Sequence, residues 1–523
     1  MWGLITSMEV PFIVTTLFRR GMLRPGPPIR VARQLYTLHR WGFGLCGELR
    51  QAAVRSPERV AIVDEHRSVT YSGLFDRVER FARALHASAG IRPGDRVGVL
   101  RRNSAGMIET LIGVTVLGAD PVLMNTGLSG PQIGLVAQEQ QLRAVIHDDE
   151  FTALISAAPE HVERINERRV DELIADAAEA PLTRPERDGR TIVLTSGTTG
   201  VPKGARRPTP TGFGPLCSLI DRIPLHRGIR MMIAAPLFHT WGYAGLQLAL
   251  ALGATVVLRR RFEPAAALGA MVEHRCAALI AVPVMVQNLM ELPESAPRAG
   301  LRVVAVSGSA LPGGLATRFM DRYGDVLYNL YGSTEASWAS IATPADLRAA
   351  PNTGGRPPRG TRIAVLDAAG APVATGVSGR LFVGNELLFE GYTNGSKREL
   401  RDGLLPTGDL GHVDENGRVF VDGREDDMIV SGGENVFPSE VENLLADLPQ
   451  VREVAVVGVP DPEHGQRLAA YVVLQPGEQL DREAVREHVR RYRARFCVPR
   501  DVVFLPALPR NATGKVRTRD LRR

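Results

Sequence analysis

Between about residues 58 and 330, short apolar runs alternate with longer amphipathic segments. Each run has the length and the β-branched content of a strand that is buried on both faces. Alternation of such strands with helices predicts parallel sheets that are covered by helices. The predicted strands of this part are Arg59–Val63, Arg96–Leu100, Ala144–His147, Thr191–Thr195, Met231–Ala235, Thr255–Leu258, Ala278–Val282 and Arg302–Val306.

Apolar residues at helical spacing predict two helices among these strands. Ser72 precedes the first helical pattern and is its expected N-cap, because a hydroxyl oxygen can accept a hydrogen bond from a free N–H of the first turn. The second pattern ends before Gly118. The residues that carry the two patterns are Leu74, Val78, Phe81 and Leu85, and then Ile108, Leu111, Ile112 and Thr115.

The pattern changes after about residue 355. As far as residue 425, short apolar runs are separated by Gly, Asp and Asn, which predicts a small antiparallel, barrel-like β unit. From Asp426 to the end, strands and helix are mixed. The segments concerned are Arg362–Leu366, Gly379–Val383 and Arg418–Val421 in the β unit, and then Glu453–Val459, Ala469–Leu474 and a helical stretch near 482–496.

Chain length and these changes of pattern predict three parts. A chain of 523 residues is too long to form a single core. We expect an N-terminal arm over residues 1–45, a large domain over 46–425 and a small α+β C-terminal domain over 426–523. The predicted fold class is therefore multi-domain α/β, in which the large domain contains the helix-covered sheets and the small β unit.

Composition and charge narrow the classes of protein. The apolar fraction of 44% and the charged fraction of 23% are ordinary for a globular protein. The four cysteines lie far apart, which argues against a zinc site or a disulfide framework and favours the cytoplasm. The net charge of +6 is concentrated in residues 1–40, which carry six arginines and one acid. A basic face with interleaved aromatic residues is lacking, so no nucleic-acid partner is expected.

The N-terminal arm contains the apolar run Val10–Phe18, followed by Arg19 and Arg20. The run is too short to span a bilayer, and its positive charges follow the apolar stretch, unlike those of a signal peptide. Two interpretations remain open. The arm either contacts the inner face of an anionic membrane peripherally, through residues 1–40, or packs as a helix on the protein's own surface. Met8 is an alternative start to Met1.

Only three of the 63 basic residues are lysines, and two of them lie in loops rich in glycine and hydroxyl groups. Lysine is a compact point charge, which arginine cannot replace against a phosphate or a reacting carboxylate. Lys203 ends the loop Thr195–Lys203, which follows a predicted buried strand and has the composition of a phosphate-binding nest. Lys515 lies in a similar loop, whereas Lys397 is expected in a solvated turn. The first loop does not fit the Walker pattern.

Five motifs in the expected order resemble the acyl-adenylate-forming superfamily, which includes acyl-CoA synthetases, firefly luciferase and the adenylation domains of peptide synthetases. The resemblance covers nearly everything beyond residue 45 and leaves out the arm. Asn329 departs from the family pattern, because Gln or Glu is usual before the second motif. The five motifs are Thr195–Gly204, Tyr331–Glu335, Thr407–Asp409, the hinge segments 423–429 and 432–442, and Asn511–Val516.

The resemblance implies a reaction that joins a carboxylic acid to the α-phosphate of ATP, with Mg²⁺ bound at Glu335 and the Thr334 hydroxyl nearby. Lys515 would reach the acid's carboxylate and the α-phosphate, and His239 would lie at the mouth of the acyl pocket. Asp409 would bind the ribose hydroxyls with support from Arg424. The other residues implied to bind ATP or AMP are Thr195, Ser196, Gly197, Thr198, Thr199, Gly200, Lys203, Ser307, Gly308, Ser309, Tyr331 and Gly332.

A second half-reaction is also implied, in which the acyl group passes from AMP to the thiol of coenzyme A. In the family the C-terminal domain rotates about the position that matches Asp426. The rotation withdraws Lys515 and brings the region of Gly433 to the acyl site, where a glycine leaves space for pantetheine. The resemblance therefore makes the C-terminal domain a mobile one.

The acid itself is expected to be uncharged and lipophilic, because no acidic residue occurs between Asp221 and Glu263 that could bind a substrate amine. Trp241 and Val282 are predicted walls of the acyl pocket. The resemblance is greatest to bacterial medium- and long-chain fatty-acyl-CoA ligases, so a fatty acid is the expected substrate. Three alternatives stay open: a CoA ligase for another lipophilic or aromatic acid, a ligase that loads a carrier protein, and an idle paralogue. Assembly as a homodimer is also left open.

Overall fold

The computed structural model describes residues 9–23, 27–178, 182–195, 202–431, 434–462 and 465–522. Their strands form four sheets, of eight, six, four and five strands. Within these ranges, none of the helices combines the length with the apolar character that crossing a membrane requires. The fold is the mixed α/β, multi-domain type that the sequence predicts.

Three helices precede the first strand: α1 (Glu9–Arg19), α2 (Pro28–Trp41) and α3 (Leu45–Arg55). Helix α1 packs on the protein's own surface. Arg19 forms an ion pair with Asp221 at 2.9 Å, and Arg20 donates to the carbonyl of Ile220 at 2.7 Å. Leu17 is buried at this contact. The second interpretation of the arm is therefore confirmed for α1, although Phe18 on the same helix is 74% exposed.

Two sheets of mostly parallel strands form the body of the protein. The larger has the order β14-β13-β12-β11-β9-β10-β1-β2, and the smaller has the order β6-β5-β3-β4-β7-β8. Their strands are β1 (Val60–Val63), β2 (Ser68–Thr70), β3 (Arg96–Leu100), β4 (Asp120–Leu123), β5 (Leu142–His147), β6 (Glu163–Asn166), β7 (Ile192–Thr195), β8 (Lys203–Arg206), β9 (Arg230–Ile233), β10 (Thr255–Val257), β11 (Ala278–Ala281), β12 (Val303–Val306), β13 (Leu327–Tyr331) and β14 (Ser340–Ala342). All eight predicted strands are confirmed, with ends that move by one or two residues.

Helices cover these sheets: α4 (Tyr71–Ala89), α5 (Ala105–Val116), α6 (Gly130–Glu139), α7 (Thr152–Ile155), α8 (Glu167–Ala175), α9 (Gly214–Arg222), α10 (Thr240–Ala251), α11 (Pro264–Glu273), α12 (Pro283–Met290), α13 (Leu315–Tyr323) and α14 (Pro344–Ala349). The predicted cap of α4 is wrong. Thr70, not Ser72, is the N-cap, and its hydroxyl accepts from the N–H of Gly73 at 3.1 Å. Helix α4 begins earlier than the apolar pattern because the ring of Tyr71 is itself buried.

The core lies largely between the two sheets, where α4, α5 and α10 are buried. Helices α4 and α5 approach closely at Gly113. A Cβ atom at this position would lie 2.5 Å from Cδ1 of Phe81, which is fully buried. Since interiors are close-packed, any larger residue at position 113 would force the two helices apart.

The small antiparallel sheet has the order β15-β16-β17-β18, with strands β15 (Arg362–Leu366), β16 (Gly379–Gly384), β17 (Leu405–Val413) and β18 (Val419–Arg424). The last sheet has the order β20-β19-β22-β21, and β23 pairs with β22. Its elements are β19 (Ile429–Ser431), β20 (Glu434–Val436), α15 (Pro438–Ala446), β21 (Val451–Asp461), β22 (Gly465–Leu474), α16 (Arg482–Tyr492) and β23 (Asp501–Phe504). The antiparallel unit and the mixed final part are confirmed.

Candidate active site

The predicted site residues follow the carboxyl ends of neighbouring parallel strands. In the larger sheet, β9, β11, β12 and β13 are adjacent and parallel. His239 follows β9, Ser307–Ser309 follow β12, and Tyr331–Glu335 follow from the end of β13. Open parallel sheets bind ligands at this edge, where the loops converge. The topology thus brings together segments that are about a hundred residues apart along the chain.

One cavity of about 1010 Å³ collects these segments. Its lining includes the predicted residues Thr195, Lys203, Ser307, Gly308, Ser309, Tyr331, Gly332, Thr334, Glu335, Asp409, Arg424, Asp426, Lys515, His239 and Trp241. Val282 is a correction, because it is buried behind the wall, and its neighbours Pro283 and Val284 line the cavity instead.

Six predicted residues, Ser196–Gly200 and Gly433, lie outside the residues that the structure describes. The ends of the first loop are nevertheless fixed, since Thr195 and Lys203 are paired across the antiparallel strands β7 and β8. The Lys203 ammonium lies 5.8 Å from the centre of the Tyr392 ring, a cation–π contact that keeps the charge beside the cavity.

Asp409 and Arg424 form the polar floor of one end of the cavity. They are paired across strands β17 and β18, with 3.5 Å between the guanidinium and the carboxylate. The Tyr331 hydroxyl donates to the other carboxylate oxygen. Burial raises the pKa of Asp409, and the Tyr331 hydrogen bond and the Arg424 charge oppose that rise. These two partners fix the direction in which the Asp409 carboxylate faces the cavity.

Glu335 is held from two sides. Its carboxylate accepts from the Tyr392 hydroxyl at 2.8 Å, and its backbone carbonyl accepts from the N–H of Phe389 at 2.8 Å. The neighbouring Thr334 hydroxyl lies 2.9 Å from that of Thr240, at the start of α10. These contacts orient Glu335 towards the cavity.

A magnesium ion fits Glu335 if substrate phosphates complete its coordination. Across the described ranges, no cluster of three or more His, Cys, Asp or Glu side chains could hold a metal ion by itself. Magnesium is typically bound by one or two carboxylates together with phosphate oxygens and water. Glu335 is a single oriented carboxylate, and Tyr392, which donates to it, also contacts the Lys203 ammonium, so the site has the charges that such a magnesium–phosphate group requires.

Lys515 projects into the cavity from the C-terminal part of the chain. Partial desolvation lowers the pKa of its ammonium, as does the Arg424 charge, whereas Asp409 and Glu335 raise it. Its loop is tied by Asn511, whose side-chain oxygen accepts from the N–H of Thr513 at 3.0 Å and from that of Lys515 at 2.9 Å. The cation is therefore within electrostatic range of Asp409 and Glu335, and also of His239, whose pKa it lowers.

Close packing fixes the position of the Lys515 loop. A Cβ atom at Gly514 would lie 2.6 Å from Cγ1 of Val284, and one at Gly127 would lie 3.1 Å from Cβ of Ala512. Gly514 also has a φ of +83°, which favours glycine. The loop thus rests directly on the wall formed by Val284.

His239 and Trp241 begin the apolar branch of the cavity along α10. Burial and the nearby Lys515 charge lower the pKa of His239 to about 4, so its imidazole is neutral at pH 7. The Trp241 indole N–H donates to the carbonyl of Ala281 at 3.1 Å, which fixes the ring. Because the imidazole is neutral, it adds no positive charge that would repel the Lys515 ammonium. It can therefore contact a carboxylate beside that lysine.

Three residues that hold the site were not predicted from the sequence: Tyr392, Thr240 and Arg207. Arg207 is buried and donates to the carbonyl of Thr334 at 2.5 Å and to the hydroxyl of Ser337 at 2.9 Å. Burial lowers its pKa to about 10. Their partners lie between 57 and 130 residues away in sequence, so no local signal identified these contacts.

Comparison with known proteins defines the class. Residues 49–393 match the family model of AMP-binding enzymes, and residues 440–515 match the model of the AMP-binding enzyme C-terminal domain. The chain therefore belongs to the AMP-binding enzyme family, which uses ATP and Mg²⁺, and coenzyme A fits as its second substrate.

Individual relatives cover nearly the whole chain. The chain is 34% identical to indoleacetate–CoA ligase of Aromatoleum aromaticum, over 89% of this chain and 95% of the relative. It is 33% identical to feruloyl-CoA synthase of an Amycolatopsis species, over 90% and 96%. Among solved structures, o-succinylbenzoate CoA synthetase from Bacillus subtilis in complex with its acyl-adenylate intermediate has a TM-score of 0.80 and 29% identity, over 91% of this chain and 98% of that one.

Proposed function

We propose that this acyl-CoA ligase activates an aromatic carboxylic acid, or another lipophilic acid that is not a simple fatty acid. Formation of an acyl adenylate and then of a CoA thioester follows from the family. The single observation that carries the proposal is the cavity, which Lys515 lines together with Tyr331 and Asp409 and with the residues of an apolar branch along α10. The relatives named above act on aromatic acids, which favours this choice over the fatty acid expected from the sequence.

In the first half-reaction, a carboxylate oxygen of the acid attacks the α-phosphorus of ATP, and the bond from that phosphorus to the pyrophosphate oxygen breaks. Two anions must meet, so the site must supply positive charge where negative charge accumulates. Lys515 is placed for that role, and Lys203 neutralises the polyphosphate. Tyr331 and Asp409 hold the nucleoside, which fixes the angle of attack. Magnesium at Glu335 would neutralise phosphate oxygens.

In the second half-reaction, the CoA thiolate attacks the acyl carbonyl and AMP leaves. Lys515 lines the cavity in the structure, which supports assigning the described arrangement to adenylate formation. Asp426 lies between β18 of the small sheet and β19 of the last sheet, where few residues connect the two. We propose that residues 426–523 move about this point, as a hinge movement requires. Gly433 would then contribute to the CoA site.

That movement would have to break several contacts of residues 426–523, and two of them are polar. Arg452 of β21 forms a bidentate ion pair with Glu291, at 2.7 and 3.0 Å, and Gln287 donates to the carbonyl of Arg452 at 2.9 Å. Both partners of the ion pair are partly exposed, and such pairs contribute little free energy. The polar nature of the contact is compatible with movement during each turnover.

Transfer to a carrier protein is the main alternative acceptor, and a fatty acid is the main alternative substrate. An idle paralogue is disfavoured, because the lysines and carboxylates that the chemistry needs converge on one cavity. Assembly as a homodimer stays a prediction.

Release of AMP by the purified protein tests the proposal. ATP and Mg²⁺ would be supplied with arylacetic, cinnamic and benzoic acids and with fatty acids of several lengths, each with and without CoA. We expect turnover that needs both acid and CoA, with kcat/KM for the best aromatic acid above that for every fatty acid. A fatty acid as the best substrate would refute the proposed acid class. Accumulation of an acyl adenylate that does not react with CoA would refute CoA as the acceptor.

Peripheral membrane contact through the arm also stays a prediction. Phe18, Ile29 and Tyr36 are 74%, 61% and 67% exposed, among arginines that suit an anionic surface. Changing all three to Asp is expected to abolish co-sedimentation with phosphatidylglycerol vesicles while leaving ligase activity intact. Val377→Asp, at another exposed apolar position, is the matched control. Equal sedimentation of the triple variant and the parent would refute the contact.

A further inference from the structure

The apolar branch of the cavity runs along one face of α10. Trp241, Ala244, Gln247 and Ala251 line it at helical spacing. Ten residues of helix separate the first from the last, which gives the branch a length of about 15 Å at 1.5 Å per residue. The branch therefore forms a channel that runs from Trp241 towards Ala251.

Glu48 of α3 lines the cavity at the end of the channel near Ala251. Its neighbour Gln51 places it there, because the Gln51 amide nitrogen lies 3.1 Å from the Glu48 carboxyl and 3.4 Å from the carbonyl of Ala251. The Gln51 amide oxygen in turn accepts from Gln34 of α2. This chain of hydrogen bonds fixes the direction in which the Gln51 N–H groups point and leaves one oxygen of Glu48 without a bond from Gln51.

Glu48 differs from five other buried carboxylates of the described residues. Glu48 is only 6% exposed, yet it has no arginine or lysine partner there. Glu442 also lacks such a partner, but its carboxylate accepts from the N–H of Val456 at 2.7 Å. The five carboxylates that have an arginine within 4 Å are Glu109, Asp120, Asp148, Asp346 and Asp461. A buried carboxyl that serves only the fold is normally paired, because leaving it unpaired is costly. Glu48, which lacks such a partner, lines the cavity.

The protonation state of Glu48 suits it to bind a neutral ligand. Burial raises its pKa to about 8, and the hydrogen bond from Gln51 offsets only part of the rise. At neutral pH the side chain is therefore mostly a carboxylic acid, which has one O–H donor and a carbonyl acceptor. Gln247 adds a second polar group to the same channel, and its amide has no hydrogen-bond partner among the described residues.

We propose that Glu48, with Gln247, forms a polar subsite at the far end of the channel, which binds a hydroxyl or carbonyl group at the end of the substrate opposite its carboxylate. The substrate class is then a lipophilic acid, about 15 Å long, with an uncharged hydrogen-bonding group at its distal end. The inference rests on the proposed ligase function, because it assigns the occupant of that enzyme's acid channel.

The physical reason for selectivity is the cost of an unpaired buried polar group. An acid with a bare hydrocarbon end would cover the Glu48 carboxyl and leave its donor unsatisfied. Sites that are built to hydrogen-bond a substrate group reject analogues without it much more strongly than apolar pockets reject a missing methylene. A single hydrogen bond of this kind corresponds to a preference of about 10- to 100-fold.

Paired substrates and two variants test the subsite. The substrates would be arylalkanoic acids of matched length that carry hydrogen, hydroxyl or acetyl at the ring position farthest from the carboxylate. Their kcat/KM values would be compared. In the parent protein we expect kcat/KM to be about 10- to 100-fold higher for the polar member of each pair. Glu48→Leu should remove most of this preference and improve the hydrocarbon acid, whereas Glu48→Gln should keep most of it. Glu58→Leu, the same change at an exposed position, is the control.

The outcomes separate the two proposals. If the parent activates both members of each pair equally and Glu48→Leu changes neither, the ligase function stands and the subsite is refuted. If neither the polar nor the hydrocarbon acids give an acyl adenylate, the ligase function is refuted, and the proposed subsite is refuted with it. Thermal melting of each variant shows that it is folded. Should Glu48→Leu fail to fold, Gln247→Leu replaces it: a smaller ratio of kcat/KM between the polar and the hydrocarbon acid supports the subsite, and an unchanged ratio refutes it.

Discussion

Replacing Lys515 with Ala is expected to slow acyl-adenylate formation by about 100- to 1,000-fold, the usual cost of removing one electrostatic contact to a transition state. Lys515 is a cation of the C-terminal part that lines the cavity, and the carboxylates of Asp409 and Glu335 are near enough to raise its pKa. Without it, the carboxylate and the α-phosphate would meet with their charges uncompensated. Single-turnover formation of acyl-AMP, followed by rapid quench, measures the step directly.

The same variant should convert supplied acyl-AMP and CoA to thioester at a rate within a few-fold of the parent, because the proposed movement withdraws Lys515 before that step. Lys397→Ala provides the control, since Lys397 is an exposed lysine outside the cavity. Equal loss in both half-reactions would contradict the assignment of Lys515 to adenylate formation and would indicate a general role in binding.

Replacing Asp426 with Pro is expected to separate the half-reactions in the opposite sense. Proline fixes φ near −65° and removes an N–H, so rotation at this residue is blocked. Because the described arrangement has Lys515 in the cavity, a locked protein should still form acyl-AMP. Thioester transfer should fall by about 100-fold, the cost of misplacing a reacting group by roughly 1 Å.

Asp426→Ala tests whether the carboxylate or the backbone is responsible. Asp426 accepts from Arg424 at 3.0 Å, and that ion pair lowers its pKa. The alanine variant removes the pair but keeps backbone freedom, so it should retain thioester transfer. If the alanine and proline variants lose transfer equally, the ion pair matters and the hinge at this residue is wrong.

The sequence predicted those parts of the site that are local. Glycine- and hydroxyl-rich loops after strands can be recognised from the sequence, because the same few residues form the loop and supply its functional groups. The contact of Tyr392 with Glu335 spans 57 residues, and that of Thr240 with Thr334 spans 94. Such contacts depend on strand order, which apolar periodicity does not encode. The error at Val282 has a similar origin, since a shift of one or two residues decides which side chain faces the cavity.

Helix N-termini were harder to place for a different reason. Thr70 and Ser72 both carry a hydroxyl, and the choice between them depended on Tyr71, whose aromatic ring is buried. Burial of Glu48 was equally invisible, because its partner Gln51 is local but the carbonyl of Ala251 that anchors Gln51 lies 200 residues away. A polar residue on a helix is ordinarily solvated, and only tertiary packing makes this one part of a cavity.

The contact of Gly514 with Val284 has a consequence for how the enzyme selects its acid. Val284 lines the cavity that we propose receives the acid, and the same side chain supports the loop that carries Lys515. An acid that displaces Val284 therefore weakens the docking of the catalytic loop, even when the acid itself binds tightly. Affinity and turnover are then separate measures of preference: a bulky acid would act as a competitive inhibitor of its smaller relatives, because it occupies the channel while preventing closure.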